Sequence, residues 1–222
     1  MTTDEQKVGG WRDANVIAMY QHLGRVFGRI DQDSGTRSLL RRRVTDLDAV
    51  DLYAVIYPGI PSELTGDGFP TEWELAIRDA SCLYASASKS GWSAHQSARA
   101  GEEPTEGYVP ASIGSSLKKV ALSRGKAPED DTMVISCLNK LVTSTSRSDL
   151  VTALERATSL LSSYQIKVDY LRLANDLRSL YRGYSFDGSQ YPVRHKWSSE
   201  YLTSSRHEEA SGRNESTSES TE

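Results

Sequence analysis

Three observations predict an all-α fold. Apolar residues recur at three- and four-residue spacing along most of the chain. Several of these segments begin on helix-capping residues and stop at glycine or proline. No stretch alternates apolar and polar residues over enough positions to make a strand.

The first helix is predicted from about Arg12 to Arg29, with Val16, Ile17, Tyr20, Leu23, Val26 and Phe27 on one stripe. Ser34 is the expected N-cap of the next, in which Leu39, Leu40 and Val44 face inward. Asp46, Asp48 and Asp51 introduce a third helix that stops at Pro58 and Gly59. Thr71 and Glu74 have the spacing of a capping box opening the helix TEWELAIRDASCLYASA, whose buried stripe is Trp73, Ile77, Ala80, Leu83, Tyr84 and Ala87. From Lys89 to Pro110 the sequence has no period, which marks a functional loop or an inter-domain connection.

Helical spacing resumes in SIGSSLKKVALSRG, with Ile113, Leu117, Val120 and Ala121 inside and Gly125 as the stop. Pro128 followed by Glu129, Asp130 and Asp131 suits a helix first turn, where carboxylates oppose the positive end of the dipole. Val134, Leu138 and Leu141 continue that helix, and DLVTALERATSLLSSY forms the one after it. In the segment Ile166 to Tyr201, Tyr170, Leu173, Ala174, Leu177, Leu180 and Tyr181 make an apolar stripe, with Lys167, Arg178 and Arg182 placed beside it by helical phase. The expected organisation is two small helical bundles, 12–92 and 110–203, joined by the long polar loop, with an acidic tail at 204–222.

Composition narrows the function. No apolar run is long enough for a membrane-spanning helix, and MTTDEQKVGG has neither the basic nor the apolar region of a signal peptide, so a cytoplasmic location and no membrane partner are expected. Cys82 and Cys137 sit within apolar helical patterns and read as reduced structural thiols. The tail carries Arg206 and Arg213 against Glu208, Glu209, Glu215, Glu219 and Glu222, a net of -3, and reads as a solvated terminus, with an acidic regulatory role as the alternative. The formal charge of the whole chain is -4, so the body is nearly neutral and any affinity for polyanions must reside in patches.

No phosphate-binding glycine loop, metalloprotease, serine-hydrolase or paired-cysteine motif is present, and His22, His95, His195 and His207 are scattered. The aspartates at 46, 48 and 51 spread over more than one helix face and balance the upstream arginines better than they would hold a metal. The chain therefore reads as non-enzymatic, without cofactor or metal. Three basic groups stand out: Arg37, Arg41 and Arg42; Lys118, Lys119 and Arg124; and Arg178, Arg182, Arg194 and Lys196 with Lys167. If they converge on one surface, they would track a phosphate backbone with little sequence preference. The bland alternative is a solvated helical adaptor that binds only protein. Trp92, in the loop, is the one aromatic with a claim to exposure.

Four pieces of the sequence, in this order, carry a family resemblance: LLRRR at Leu39 to Arg43, AHQ at Ala94 to Gln96, SIGSSLKKV at Ser112 to Val120, and the pair VDYLRLANDLRSL (Val168 to Leu180) and VRHKWSSEY (Val193 to Tyr201). Over residues 12–203 the chain resembles the CasB family, the small subunit of the type I-E CRISPR surveillance complex Cascade. The resemblance implies an all-helical, non-catalytic subunit present as two copies. Its implied partners are the backbone and large subunits of the complex, guide RNA, target DNA and the displaced single-stranded DNA. Arg41, Arg42, Lys118 and Lys119 match the family's basic positions, and Arg194 and Lys196 follow them. Asp130, Asp131, Thr132, Met133 and Glu155 depart from its basic pattern, which implies that their helices face protein rather than phosphate. The loop at 97–110 is longer than the resemblance implies.

Overall fold

The helices start and stop where side chains satisfy their terminal backbone groups. A computed structural model describes residues 13–42, 50–68, 70–87, 111–182 and 191–203. Among them are nine α-helices and no strand element: α1 (Ala14–Gln32), α2 (Ser34–Arg42), α3 (Val50–Ile56), α4 (Glu72–Ser86), α5 (Ile113–Ser123), α6 (Thr132–Val142), α7 (Arg147–Ser163), α8 (Tyr170–Tyr181) and α9 (Tyr191–Leu202). The all-α expectation holds. The loop with Trp92 and AHQ, the residues Arg43, Val44, Asp46 and Asp48, and the acidic tail lie outside the described residues.

The predicted capping box is formed. Glu74 N–H donates to Thr71 Oγ1 at 3.2 Å and Thr71 N–H to Glu74 Oε2 at 2.6 Å. Gly125 closes α5 at φ 69°, a left-handed conformation that only glycine adopts without steric cost. Four expectations need correction. Asp33 rather than Ser34 caps α2: its carboxylate accepts from Gly35 N and Thr36 N at 2.8 and 3.1 Å, and a carboxylate one residue earlier reaches donors that a serine inside the helix cannot. Those bonds and the one from Thr36 Oγ1, the strongest influence, hold the Asp33 carboxyl below its usual range. Pro128–Asp130 is a separate 3₁₀ turn, and α6 starts only after Asp131, which accepts from Met133 N and Val134 N. Lys167 precedes the Asp169 N-cap of α8, so helical phase does not set it beside Arg178. Ile17 is 40% exposed, and Met19, His22 and Ile30 complete the buried face of α1 in its place.

Helix α4 is the centre of the molecule. The sequence predicts one buried stripe, but every residue from Trp73 to Ala85 is buried, including Glu74, Arg78, Asp79 and Ser81. The reason is that α1, α2, α3, α7 and α8 all pack on it. Phe27 of α1 stacks on Tyr84 of α4 with ring centroids 4.0 Å apart, and Tyr170 of α8 meets Tyr84 edge-on at 5.4 Å. The apolar core is accordingly one cluster drawing on α1 to α9.

Two buried carboxylates tie helices together. Asp79 of α4 receives Arg147 of α7 in a fork, Nε to Oδ2 at 2.8 Å and Nη2 to Oδ1 at 2.6 Å, and the hydroxyl of Tyr181 in α8 at 2.7 Å. Asp176 of α8 receives the Trp197 indole of α9 at 2.8 Å and Arg172 Nε at 3.0 Å. Burial raises the Asp176 carboxyl above its usual range against the opposing pull of Arg172 and Trp197. Trp197 also explains a glycine. A methyl group at Gly114 of α5 would collide with the Trp197 carbonyl, so only glycine permits the α5 and α9 backbones to approach this closely.

Both cysteines are free thiols, and burial pushes the buried Cys82 up to about 12, as expected of an inert structural residue. His22 is fully buried where α1 meets the end of α3. Its Nε2 lies 2.7 Å from the Ile56 carbonyl, and Arg25 Nη2 lies 3.5 Å from Nδ1 while donating to the Gly59 carbonyl at 2.9 Å. The ring Nδ1 also lies 3.2 Å from the Gly59 carbonyl, so either ring nitrogen faces a carbonyl to which it can donate, as the tautomer decides. Burial lowers its pKa and outweighs the two carbonyls that would favour a proton. A lowered folded-state pKa means that the unfolded chain binds the proton first as pH falls through about 6.5, so His22 withdraws stability on acidification below that point. Denaturant titrations between neutral pH and pH about 5 should show a steeper loss of stability for the natural chain than for His22→Gln; equal slopes would contradict a neutral buried imidazole.

Candidate nucleic-acid interface

The ten candidate cations divide by what their charges already meet. Arg37 is tied to α1: Nη2 meets Asp31 Oδ1 at 3.2 Å, while Asp31 Oδ2 accepts the Tyr84 hydroxyl at 3.0 Å. Arg124 pairs with the fully buried Asp131 at 3.0 Å and reaches the Tyr164 hydroxyl at 3.3 Å. Arg178 lies over the Trp73 ring, 4.4 Å from its centroid, and so fastens α8 to the start of α4. Arg194 donates to the carbonyls of Val142 and Ser144 at 2.9 and 2.7 Å, closing the C-terminal end of α6 where the helix dipole is negative. Lys118 donates to the Thr203 carbonyl at 2.6 Å, just past the end of α9. These five join helix to helix.

The other five face solvent. Arg41, Lys119 and Arg182 are exposed and have no polar partner among the described residues. Arg42 is exposed and donates one bond to Ser38 within its own helix, at 2.8 Å. Lys196 is exposed and lies 3.8 Å from Glu200, a spacing at which a surface pair holds little energy. Lys126, Lys140, Arg156 and Lys167 are also exposed; of these only Lys167 stood out in the sequence, because the others do not belong to a dense run.

The exposed cations are carried by different helices. Arg41 and Arg42 end α2, which packs on α1, α3 and α4. Lys119 lies on α5, which packs on α6, α7 and α9, and Lys196 lies on α9. Arg182 caps the end of α8. Asp131 explains the acidic run that departs from the resemblance: its carboxylate is the N-cap of α6 and the partner of Arg124, an internal task. Among the described residues no group of His, Cys, Asp and Glu is arranged to hold a metal, and no helix is long and apolar enough to cross a membrane.

The comparisons with known proteins bear on this arrangement. A family model described as CRISPR-associated protein Cse2 matches residues 36–202. The chain belongs to the CRISPR-associated Cse2 family. Its fold is similar to the crystal structure of CasB from Thermobifida fusca, with a TM-score of 0.54 and 19% identity, covering 85% of this chain and 98% of that one. No curated protein matches it. The Cse2 match takes in the LLRRR, SIGSSLKKV and paired α8/α9 segments, and in the structure these are the segments that carry Arg41 and Arg42, Gly114 and Lys119, and the Asp176 to Trp197 bond.

The division between internal and solvent-facing cations is open to measurement. Arg194→Ala removes two charged hydrogen bonds to carbonyls and should lower stability by about 1–3 kcal/mol. Arg41→Ala and Lys119→Ala should stay within about 0.5 kcal/mol of the natural chain. Chemical denaturation of the three variants checks both statements, and comparable losses in all three would contradict the division.

Proposed function

We propose that this Cse2-family chain is the non-catalytic small subunit of a type I-E Cascade ribonucleoprotein and holds nucleic-acid backbone through exposed Lys and Arg. Family membership supports the place in Cascade. The observation that carries the contact is the end of α2, where Arg41 and Arg42 project into solvent next to each other and Arg41 has no polar partner among the described residues. Lys119 on α5 extends the same chemistry, with Arg182 and Lys196 as further points.

Exposed cations on rigid helices suit a displaced DNA strand or a guide-target duplex whose sequence is read by base pairing. Contacts to phosphate fix the path of a strand without selecting its bases. Such a subunit favours the R-loop by lowering the free energy of the strand-separated state in antiviral defence. Arg37, Arg124, Arg178 and Arg194 support the surface from within and Lys118 borders it; none of these five is assigned direct contact first. The expected partners are the backbone and large subunits, a second copy of the chain, guide RNA and target DNA. The location consistent with that assembly is the cytoplasm.

A specific observation favours the alternative of a helical protein adaptor: five of the ten candidate cations already serve internal contacts. Affinity for single-stranded DNA across a salt series separates the two. With nucleic-acid contact, the logarithm of affinity falls linearly with the logarithm of salt. Replacing Arg41 and Arg42 together by alanine then flattens that slope by roughly 1.4, about 0.7 for each phosphate no longer neutralised. The decisive form of the experiment uses the assembled complex, where neighbouring copies complete each patch. Absence of binding at every salt, alone and in the complex, would leave the adaptor reading.

A further inference from the structure

The carboxylate of Asp31 joins three helices. Asp31 stands in the last turn of α1; its Oδ1 receives Arg37 Nη2 of α2 at 3.2 Å, and its Oδ2 receives the Tyr84 hydroxyl of α4 at 3.0 Å. The Tyr84 ring is buried, stacked on Phe27 and met edge-on by Tyr170, so its hydroxyl is a fixed donor. Arg37 also sends Nε to the Ile30 carbonyl, at 3.4 Å. Helix α2 needs such a hold. It has 9 residues, fewer than the roughly 12–15 at which an isolated helix persists in water, and Leu40 alone among them is buried. A single extended residue, Asp33, separates it from α1, so one backbone joint sets its direction unless side chains restrain it.

We propose that Asp31 is a positioning residue for the cations at the end of α2: by holding Arg37 and Tyr84 on one carboxylate, it fixes the direction in which Arg41 and Arg42 meet phosphate. Arg41 lies one turn past Arg37 on the same face of the helix. Arg42 is braced by Ser38 of the same helix, so both guanidinium groups move with α2. The effect on phosphate, though not the hold on α2, rests on reading Arg41 and Arg42 as nucleic-acid contacts. Two roles of Asp31 then have opposite signs. As a negative charge alone, it repels a polyanion and its loss strengthens binding. As the mount of α2, it orders the two cations before the strand arrives, and its loss weakens binding because that ordering must be supplied on contact.

The test uses three full-length chains: the natural one, Asp31→Ala, and Tyr84→Phe, which keeps the ring stacked on Phe27 and removes only the hydroxyl. Hydrogen exchange of the α2 amides from Leu39 to Arg42 should be faster in both variants, with the α4 amides unchanged. Affinity of Asp31→Ala for single-stranded DNA should fall by roughly threefold to tenfold, the cost of ordering a rotamer-rich cation at binding rather than beforehand. The salt slope should stay that of the natural chain, because the number of phosphates neutralised is the same. Unchanged α2 exchange in both variants would overturn the proposal. Faster exchange with equal or higher DNA affinity would overturn the positioning role and leave Asp31 a structural tie. Faster exchange with no DNA binding by the natural chain, alone or in the complex, would uphold the hold on α2 and count against the nucleic-acid reading instead.

Discussion

The buried carboxylate of Asp79 is the constraint on which the rest of the structure depends. Its α4 helix is enclosed on all sides, and a lone charge there would be strongly destabilising. Arg147 and Tyr181 meet it from α7 and α8, 68 and 102 residues along the chain. The arrangement permits little variation in register. A rotation of α4 by one residue would move Asp79 away from both donors and leave a buried charge and a buried fork of N–H groups unpaired. The apolar contacts of α4 are non-directional, whereas this pair of hydrogen-bonded partners fixes which faces of α7 and α8 lie against it.

Asp176 has the same role nearer the surface, with Trp197 and Arg172 as donors, and Gly114 lets α5 come close enough to cover the tryptophan. In a bundle of short helices many helix ends meet near the surface, and arginine is the residue that can reach a neighbouring helix's terminal carbonyls or carboxylates while keeping its stem packed. Arg124 and Arg194 do this between α5 and α6 and between α9 and α6. Among the described residues, the candidate cations left facing water are Arg41, Arg42 and Arg182 at helix ends and Lys119 and Lys196 within helices. Arg41 and Arg42 at the end of α2 are the clearest of these.

Much of the fold was legible because its signals are local. Thr71 and Glu74 announce a capping box by spacing alone, Gly125 announces a stop, and the stripe from Tyr170 to Tyr181 gives α8 by period. Asp33 was missed as a cap because Ser34 beside it has the same preference, and only backbone geometry decides between adjacent candidates. The enclosure of α4 was missed because a period reports one buried face, while burial of the opposite face depends on helices far along the chain. The hint lay in Asp79 itself, an acid in the middle of an apolar helix, for which the partner could not be named from sequence. Candidate sites were legible only as residue type: a run of arginines is visible, but whether Arg37 meets Asp31 or solvent depends on the fold.

The most direct test of the role of Asp79 is a double-mutant cycle with Arg147, comprising Asp79→Asn, Arg147→Met and the two combined, read by chemical denaturation. If the pair sets the packing of α4 against α7 and α8, either single change should lower stability by about 3–5 kcal/mol. The second change should then cost much less, a coupling of about 1–3 kcal/mol between the two positions. Additive losses, with coupling near zero, would show that apolar packing alone positions these helices and would contradict the central place of Asp79 in the fold.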